Sequence, residues 1–189
     1  KKTSDILNLG KQPLANALLK SIKRTRNEKK IPLELIICEK CKLIQLKHTV
    51  KPEILFRKYL WVTGTSKKVQ NYRKFFFQKI KKYFKKENNF ICEIASNDGY
   101  FLEYIKKKNK VLGIDPAKNL AKIAKKKGIK TLTDFFNYKT SQKVIKLNET
   151  KPNIIICRNV IPHIENIRQV MSGIKNLLSN DGVGIIEFH

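Results

Sequence analysis

The sequence predicts an α/β fold in which residues 89–189 form a doubly wound parallel sheet, with a small β segment and linking helices ahead of it. Short apolar runs, FICEIA (90–95), KVLGID (110–115), IKTLT (129–133), PNIIICRN (152–159) and GVGIIEF (182–188), alternate with the amphipathic stretches YFLEYIKKKN, AKNLAKIAKKK, TSQKVIKLN and NIRQVMSGIKNLL. Runs of four to eight apolar residues closed by turn residues suit buried parallel strands, and strict alternation with helices implies right-handed crossovers. The length of 189 residues at 41% apolar composition allows one such domain and a small appendage.

Taken in order, residues 1–30 open with LNLGKQPLANALL, where an apolar patch meets a Gly-x-x-Pro turn, and continue into a charged loop. Residues 31–47 alternate apolar and polar on both sides of CEKC, as two short strands joined by a metal knuckle do. Cys38 and Cys41 offer two thiolates to Zn2+, which takes four ligands in a tetrahedron. His48 is a candidate third ligand, set against its reading as a lone surface histidine. A redox dithiol is the competing chemistry, without the thioredoxin-like surroundings it needs. These residues define a partial zinc-binding segment, 1–50.

Residues 51–88 read as a helical linker. Ile54, Leu55, Tyr59 and Leu60 precede a break at Thr63-Gly64-Thr65-Ser66, and Tyr72, Phe75, Phe76, Ile80 and Phe84 follow at helical spacing, a pattern that predicts a buried face. Ser66 is placed to cap the second helix. Within 89–189, Pro116 suits the first turn of its helix, Gly128 its stop, and Asn180-Asp181-Gly182 the turn before the fifth strand.

Ligands of such sheets lie at the carboxyl ends of the strands. After the first strand come Glu93 and Asp98; Asp115 ends the second, 22 residues beyond Glu93. An acid at the second strand's end accepts ribose hydroxyls. Two carboxylates in a turn with one glycine repel pyrophosphate and attract the sulfonium and ammonium of S-adenosylmethionine (SAM). The alternative is that Glu93 and Asp98 only cap the following helix. Asp134-Phe135-Phe136 after the third strand suits an adenine, with either phenylalanine equally suited to the core. The fourth strand's end places Asn159 near the cofactor and His163 at the cleft mouth, as a general base or as a structural loop residue.

The net charge of +26 invites a nucleic-acid reading. Among the 41 lysines and arginines, however, only Arg24, Arg26, Arg57, Arg73, Arg158 and Arg168 are arginine, and the lysines are spread through every helix. That distribution favours a solvated basic surface over a nucleic-acid face. No apolar run approaches a membrane span and no signal-peptide pattern opens the chain. Cys92 and Cys157 lie inside strand runs, a usage that fits a reducing cytoplasm.

With these residues in hand, the chain resembles the bacterial sugar C-methyltransferases that modify nucleotide-linked deoxysugars. LGKQPLAN, PLELIICEKCKLIQL, YLWVTGTS, CEIASNDGYFL, VLGIDPAKNLA, GIKTLTDFF and RNVIPHI stand in that family's order and spacing across essentially the whole chain. The resemblance implies a Rossmann-like class I SAM methyltransferase core that methylates C3 of a 4-keto-deoxysugar nucleotide through an enolate. It implies that Glu93, Ser96, Asn97, Asp98, Gly99, Asp115, Phe136 and Asn159 surround SAM and that His163 and Tyr59 face the sugar. The family's zinc site uses two CxxC pairs, of which Cys38 and Cys41 are one; the other is expected before Lys1. A Tyr-x-Glu-His segment and a C-terminal domain are expected beyond the fifth strand, so the chain reads as a fragment. A basic protein that binds or modifies nucleic acid, and a non-catalytic remnant, are the alternatives.

Overall fold

The structure, a computed structural model, describes residues 2–188 apart from Asn16 and Lys20, and only the backbone of Arg24 and Arg26. Two compact units are present, Lys1–Leu55 and Phe56–His189. In the first, strands β1 (Thr3–Pro13), β2 (Lys30–Cys38) and β3 (Ile44–Leu46) form an antiparallel sheet with β2 central. The turn expected at Gly10 to Pro13 is instead part of a strand. The register shifts between Asn8 and Lys11 at Gly10 (φ +69), so one bulge absorbs the glycine that the sequence offers as a turn.

The CEKC segment closes the β2–β3 connection. The Cys38 N–H donates to the Leu43 carbonyl (3.0 Å) and the Lys42 N–H to the Cys38 carbonyl (2.9 Å), with Lys42 in the left-handed region. Helix α1 (Pro52–Phe56) follows, its proline at the first position where no amide hydrogen is needed.

In the second unit, α2 (Lys67–Ile80) precedes five parallel strands: β4 (Phe90–Ile94), β5 (Lys110–Ile114), β6 (Thr131–Leu132), β7 (Ile154–Arg158) and β8 (Val183–Glu187), in the order β6-β5-β4-β7-β8. Helices α3 (Tyr100–Ile105), α4 (Lys118–Lys126), α5 (Tyr138–Asn148) and α6 (Ile167–Leu177) make the crossovers. Alternate residues along each strand feed two cores. Phe90, Cys92, Ile94, Ile155 and Cys157 pack against Val144 of α5 and Val170, Ile174 and Leu177 of α6. Ile91, Ile154 and Ile156 pack against Phe76, Phe77, Phe101 and Leu102 of α2 and α3. Each fully buried Ile or Leu contributes about 1.5–3 kcal/mol, and β4, buried at every position, is the centre of both layers.

The buried face of α2 is Phe76, Phe77 and Ile80, whereas Tyr72 and Phe75 of the expected face are exposed. The helix is rotated toward Phe101, whose ring meets Phe76 edge-on at 5.6 Å. Ser66 occupies the N-cap position of α2, and its side chain makes no capping bond. At the amino ends of β4 and β7, the Asn153 carboxamide accepts the Phe90 N–H (2.7 Å) and donates to Asn89 (3.0 Å). No helix among the described residues is long and apolar enough to cross a membrane.

Candidate functional site

The order β6-β5-β4-β7-β8 puts the reversal of strand order between β4 and β7, so the loops after β4, β5 and β7 meet at one edge of the sheet. The loop after β4 is held in an unusual backbone shape: Ala95, Asn97 and Gly99 all have φ between +52 and +71. Non-glycine residues in this region persist only where their surroundings hold them. Here the Ser96 N–H donates to the Ile114 carbonyl (3.2 Å) and the Asn97 N–H to Asp115 Oδ2 (2.8 Å), tying the loop to the end of β5. Asp115 Oδ1 also accepts the Ala117 N–H (2.8 Å). Burial raises the Asp115 carboxyl above its ordinary range, against the two backbone donors.

The carboxylates expected to stand bare in this loop each have a cation. Glu93, 1% exposed at its side chain, accepts hydrogen bonds from Nε (3.2 Å) and Nη2 (3.0 Å) of Arg158, both on Oε1. Asp98, equally buried, pairs with Lys127. Burial nonetheless pushes Glu93 up to about 7, with Arg158 opposing the rise. Three carboxylates against two cations leave one negative charge in excess when all are ionised, so the attraction for a cation is smaller than two bare acids imply. The capping alternative holds in part for Asp98, whose Oδ1 accepts the N–H of Tyr100 at the start of α3 (3.4 Å), while Gly99 is the N-cap residue and Glu93 is engaged by Arg158 instead.

A segment from the linker covers this loop. The Thr63 N–H donates to Asn97 Oδ1 (3.0 Å), Gly64 N–H to Asp98 Oδ2 (3.3 Å), and Asn97 Nδ2 to the Trp61 carbonyl (3.1 Å). A Cβ at Gly64 would lie 2.7 Å from Asp98 Oδ2 and 2.9 Å from the Tyr100 ring, so the close approach needs glycine. Tyr59 is clamped through its backbone to the Asn119 carboxamide of α4 (3.1 and 2.7 Å). Its ring lies 6.0 Å from that of Phe56, and Phe56 lies 6.4 Å from the His163 ring. Tyr59 and His163 therefore flank one phenylalanine.

The remaining expected residues are placed as follows. Ser96 is buried with its hydroxyl against Gly113, and Gly99 is packed on Ala124 and Ile129. Phe136 packs into the α5/α6 core, whereas Phe135 faces the Arg57 guanidinium at 4.9 Å. Asn159 is exposed, in the left-handed region, with its N–H on the Glu187 carbonyl (2.7 Å) and its Nδ2 on Glu187 Oε1 (3.2 Å). Tyr72 donates its hydroxyl to the same carboxylate, and partial desolvation of that hydroxyl followed by the bond pushes Tyr72 up to about 12. Arg158, Lys127, Gly64 and Trp61 had no role assigned from sequence. Arg158 is visible in the sequence only as the first residue of RNVIPHI.

For zinc, Cys38 is buried at the end of β2 and Cys41 is exposed in the turn. His48 stands beside Glu34 (3.4 Å). Among the described residues no group of three or more potential ligands assembles, so they do not complete a tetrahedral site.

Residues 92–183 match the family model described as a methyltransferase domain, and residues 1–56 the one described as a "putative zinc binding domain". The chain is 29% identical over 185 residues to the C-methyltransferase NovU of Streptomyces niveus, covering 97% of this chain and 44% of that protein, so it spans less than half of that relative's length. Among solved structures, the PH0226 protein from Pyrococcus horikoshii OT3 superposes with a TM-score of 0.55 at 16% identity, over 68% of this chain and 58% of that one. That likeness shows the fold: the five parallel strands form a Rossmann-like sheet. The plantazolicin methyltransferase BpumL in complex with SAH superposes at 0.48, with 22% identity over 61% of this chain and 45% of that one.

Proposed function

We propose that the protein is a SAM-dependent C-methyltransferase whose acceptor is a nucleotide-linked 4-keto-deoxysugar. The observation that carries the reading is the similarity to a C-methyltransferase along 97% of the chain. The orphaned buried oxygen at the sheet edge supports it: Oε2 of Glu93 has no hydrogen-bond partner among the described residues. A buried carboxylate oxygen without a donor is costly, and the SAM ammonium is a donor of the right charge. The residues present therefore fit the cofactor. Glu93, Asn97 and Asp98 would hold its amino-acid end, Asp115 the ribose, Gly99 and Ser96 the shape of the loop, and Asn159 one side, with Phe136, half-buried against the α5/α6 core, bounding the other. When bound, SAM supplies an electrophilic sulfonium methyl to the enolate carbon.

His163 and Tyr59 act on the acceptor. His163, exposed after β7, takes the proton from C3 beside the C4 ketone at its imidazole nitrogen, and the Tyr59 hydroxyl donates to the ketone oxygen as enolate charge develops. Cys38 and Cys41 belong to a zinc site that needs further ligands, and the reaction is assigned to the reducing cytoplasm. The unit boundaries that suit this reading are 1–50 for the zinc-binding segment, 51–88 for the linker and 89–189 for the core.

Calorimetric titration of the chain with SAM, with Asp115→Ala as control, tests the cofactor half: binding that the substitution abolishes is expected, and no binding by the folded chain overturns it. Mass spectrometry of a 4-keto-deoxysugar nucleotide incubated with SAM and the protein tests the acceptor half. One added methyl at C3 is expected, and an unmodified sugar with SAM binding intact overturns it.

A further inference from the structure

Arg158 is the least expected charge at the sheet edge. It ends β7 with a side chain only 12% exposed, and its guanidinium carbon lies 3.2 Å from the Phe101 ring centroid. Both of its bonds to Glu93 land on the same oxygen, Oε1, where a side-on fork would have engaged both. Oε2 is thereby left as a buried acceptor without a partner among the described residues. In the sheet, β7 lies between β4 and β8, and Arg158 stands in register with Glu187, whose carboxylate is taken by Tyr72 and Asn159. A permanent cation is thus held beside Glu93 and stacked on Phe101.

We propose that Arg158 is a positioning residue for the cofactor: it locks Oε1 of Glu93 and keeps the carboxylate ionised, so that Oε2 is presented to the SAM ammonium. The inference rests on the reading of this edge as a SAM site. Arginine stays protonated at every relevant pH, so its charge favours the ionised carboxylate throughout. The groups facing Glu93 are Arg158 from β7, Asp98 from the loop after β4, Asp115 at the end of β5, and the neighbouring thiols Cys92 and Cys157. Both aspartates oppose ionisation of Glu93, and Arg158 is the cation that counters them. A merely structural role, joining Phe101 to the sheet, makes a different prediction. It would weaken binding by the same factor at every pH.

The test is calorimetric titration with SAM between pH 6 and 9 on wild type, Arg158→Met, Arg158→Lys and Glu93→Gln, each checked for folding by circular dichroism. In wild type, affinity falls on the acid side as Glu93 takes up a proton. In Arg158→Met the midpoint of that fall moves up by a unit or more, so affinity is about fivefold or more lower at neutral pH and approaches wild type toward pH 9. Arg158→Lys keeps the charge and loses the fork, so its midpoint stays near wild type while affinity drops several-fold. Glu93→Gln removes the acid-side fall. An unmoved midpoint in Arg158→Met, or an acid-side fall that survives Glu93→Gln, overturns the proposal. If Arg158→Met does not fold, Arg158→Lys decides, and wild-type affinity in that variant overturns it. Wild-type binding that is intact while the variants fail these expectations refutes the role of Arg158 alone. Absent wild-type binding refutes the cofactor reading and this inference with it.

Discussion

Gly99 and Gly128 share a backbone conformation and differ in what surrounds them, which makes the pair a controlled experiment. Both have φ near +70 (+71 and +72), so an alanine at either carries the left-handed penalty of about 1–2 kcal/mol. At Gly99 a Cβ would also lie 3.1–3.2 Å from Ile129 and Ala124, both buried, where neither side chain can swing clear. At Gly128 the nearest atom is the Lys106 Nζ at 3.3 Å, the end of a flexible chain that can give by a few tenths of an ångström while keeping its bond to the Lys127 carbonyl. Forcing a methyl into a packed core costs about 1–3 kcal/mol. Gly99→Ala is therefore expected to destabilise by about 2–5 kcal/mol and Gly128→Ala by about 1–2 kcal/mol, and the gain from restricting the unfolded chain cancels between them. Urea titration followed by the fluorescence of Trp61, the single tryptophan, gives the two midpoints at unchanged slope. Equal midpoints would refute the reasoning, because the shared dihedral leaves packing as the only difference.

Three further outcomes are expected. Glu93 binds its proton more tightly folded than unfolded, so it stabilises the fold as pH falls from about 7 toward 4.5, and that contribution is lost as pH rises through the same window. Stability curves of wild type and Glu93→Gln should therefore differ in slope between pH 4.5 and 7 and run parallel above it; parallel curves throughout would contradict the burial argument. Asn153→Ala strands the Phe90 N–H in the core and removes the bond to Asn89, and chemical denaturation should show a loss of about 2–4 kcal/mol. Alkylation of the native chain near pH 8 should label Cys41, which is exposed, and spare Cys92 and Cys157, whose burial raises both thiols, Cys157 to about 12. Native labelling of Cys157 at the rate of Cys41 would show that the β4–β7 layer opens.

The parallel sheet was legible because its signals are local. Each strand from β4 to β8 is an apolar run closed by its own turn, and hydrophobic period reports such elements without reference to a partner. β1 failed the same test: it is exposed at every position and has no buried face to impose alternation, and its glycine sits in a bulge rather than a turn. On α2 the period was right and the face was right in part: Phe76 and Ile80 are buried as expected, and packing against Phe101 selects Phe77 over Phe75.

The site divides along the same line. Glu93, Asp98 and Asp115 are visible as acids at strand ends, yet the charge they present depends on Arg158, 65 positions from Glu93, and Lys127, 29 positions from Asp98. No pattern in the sequence sets those pairs, because strand pairing and helix placement bring them together. Pairing changes what the acids can do. Two bare carboxylates would attract any cation and hold none in a defined pose, whereas an acid with one oxygen locked and the other free selects a donor by direction as well as by charge. Gly64 adds the cover: with its amide on Asp98 and no side chain in the way, the linker segment closes over the loop after β4. Replacing Gly64 with alanine pushes the cover off Asp98, whose Oδ2 the new methyl would crowd, and leaves Glu93 and Arg158 in place, so a loss of SAM affinity in that variant would separate the contribution of the cover from that of the Glu93–Arg158 pair.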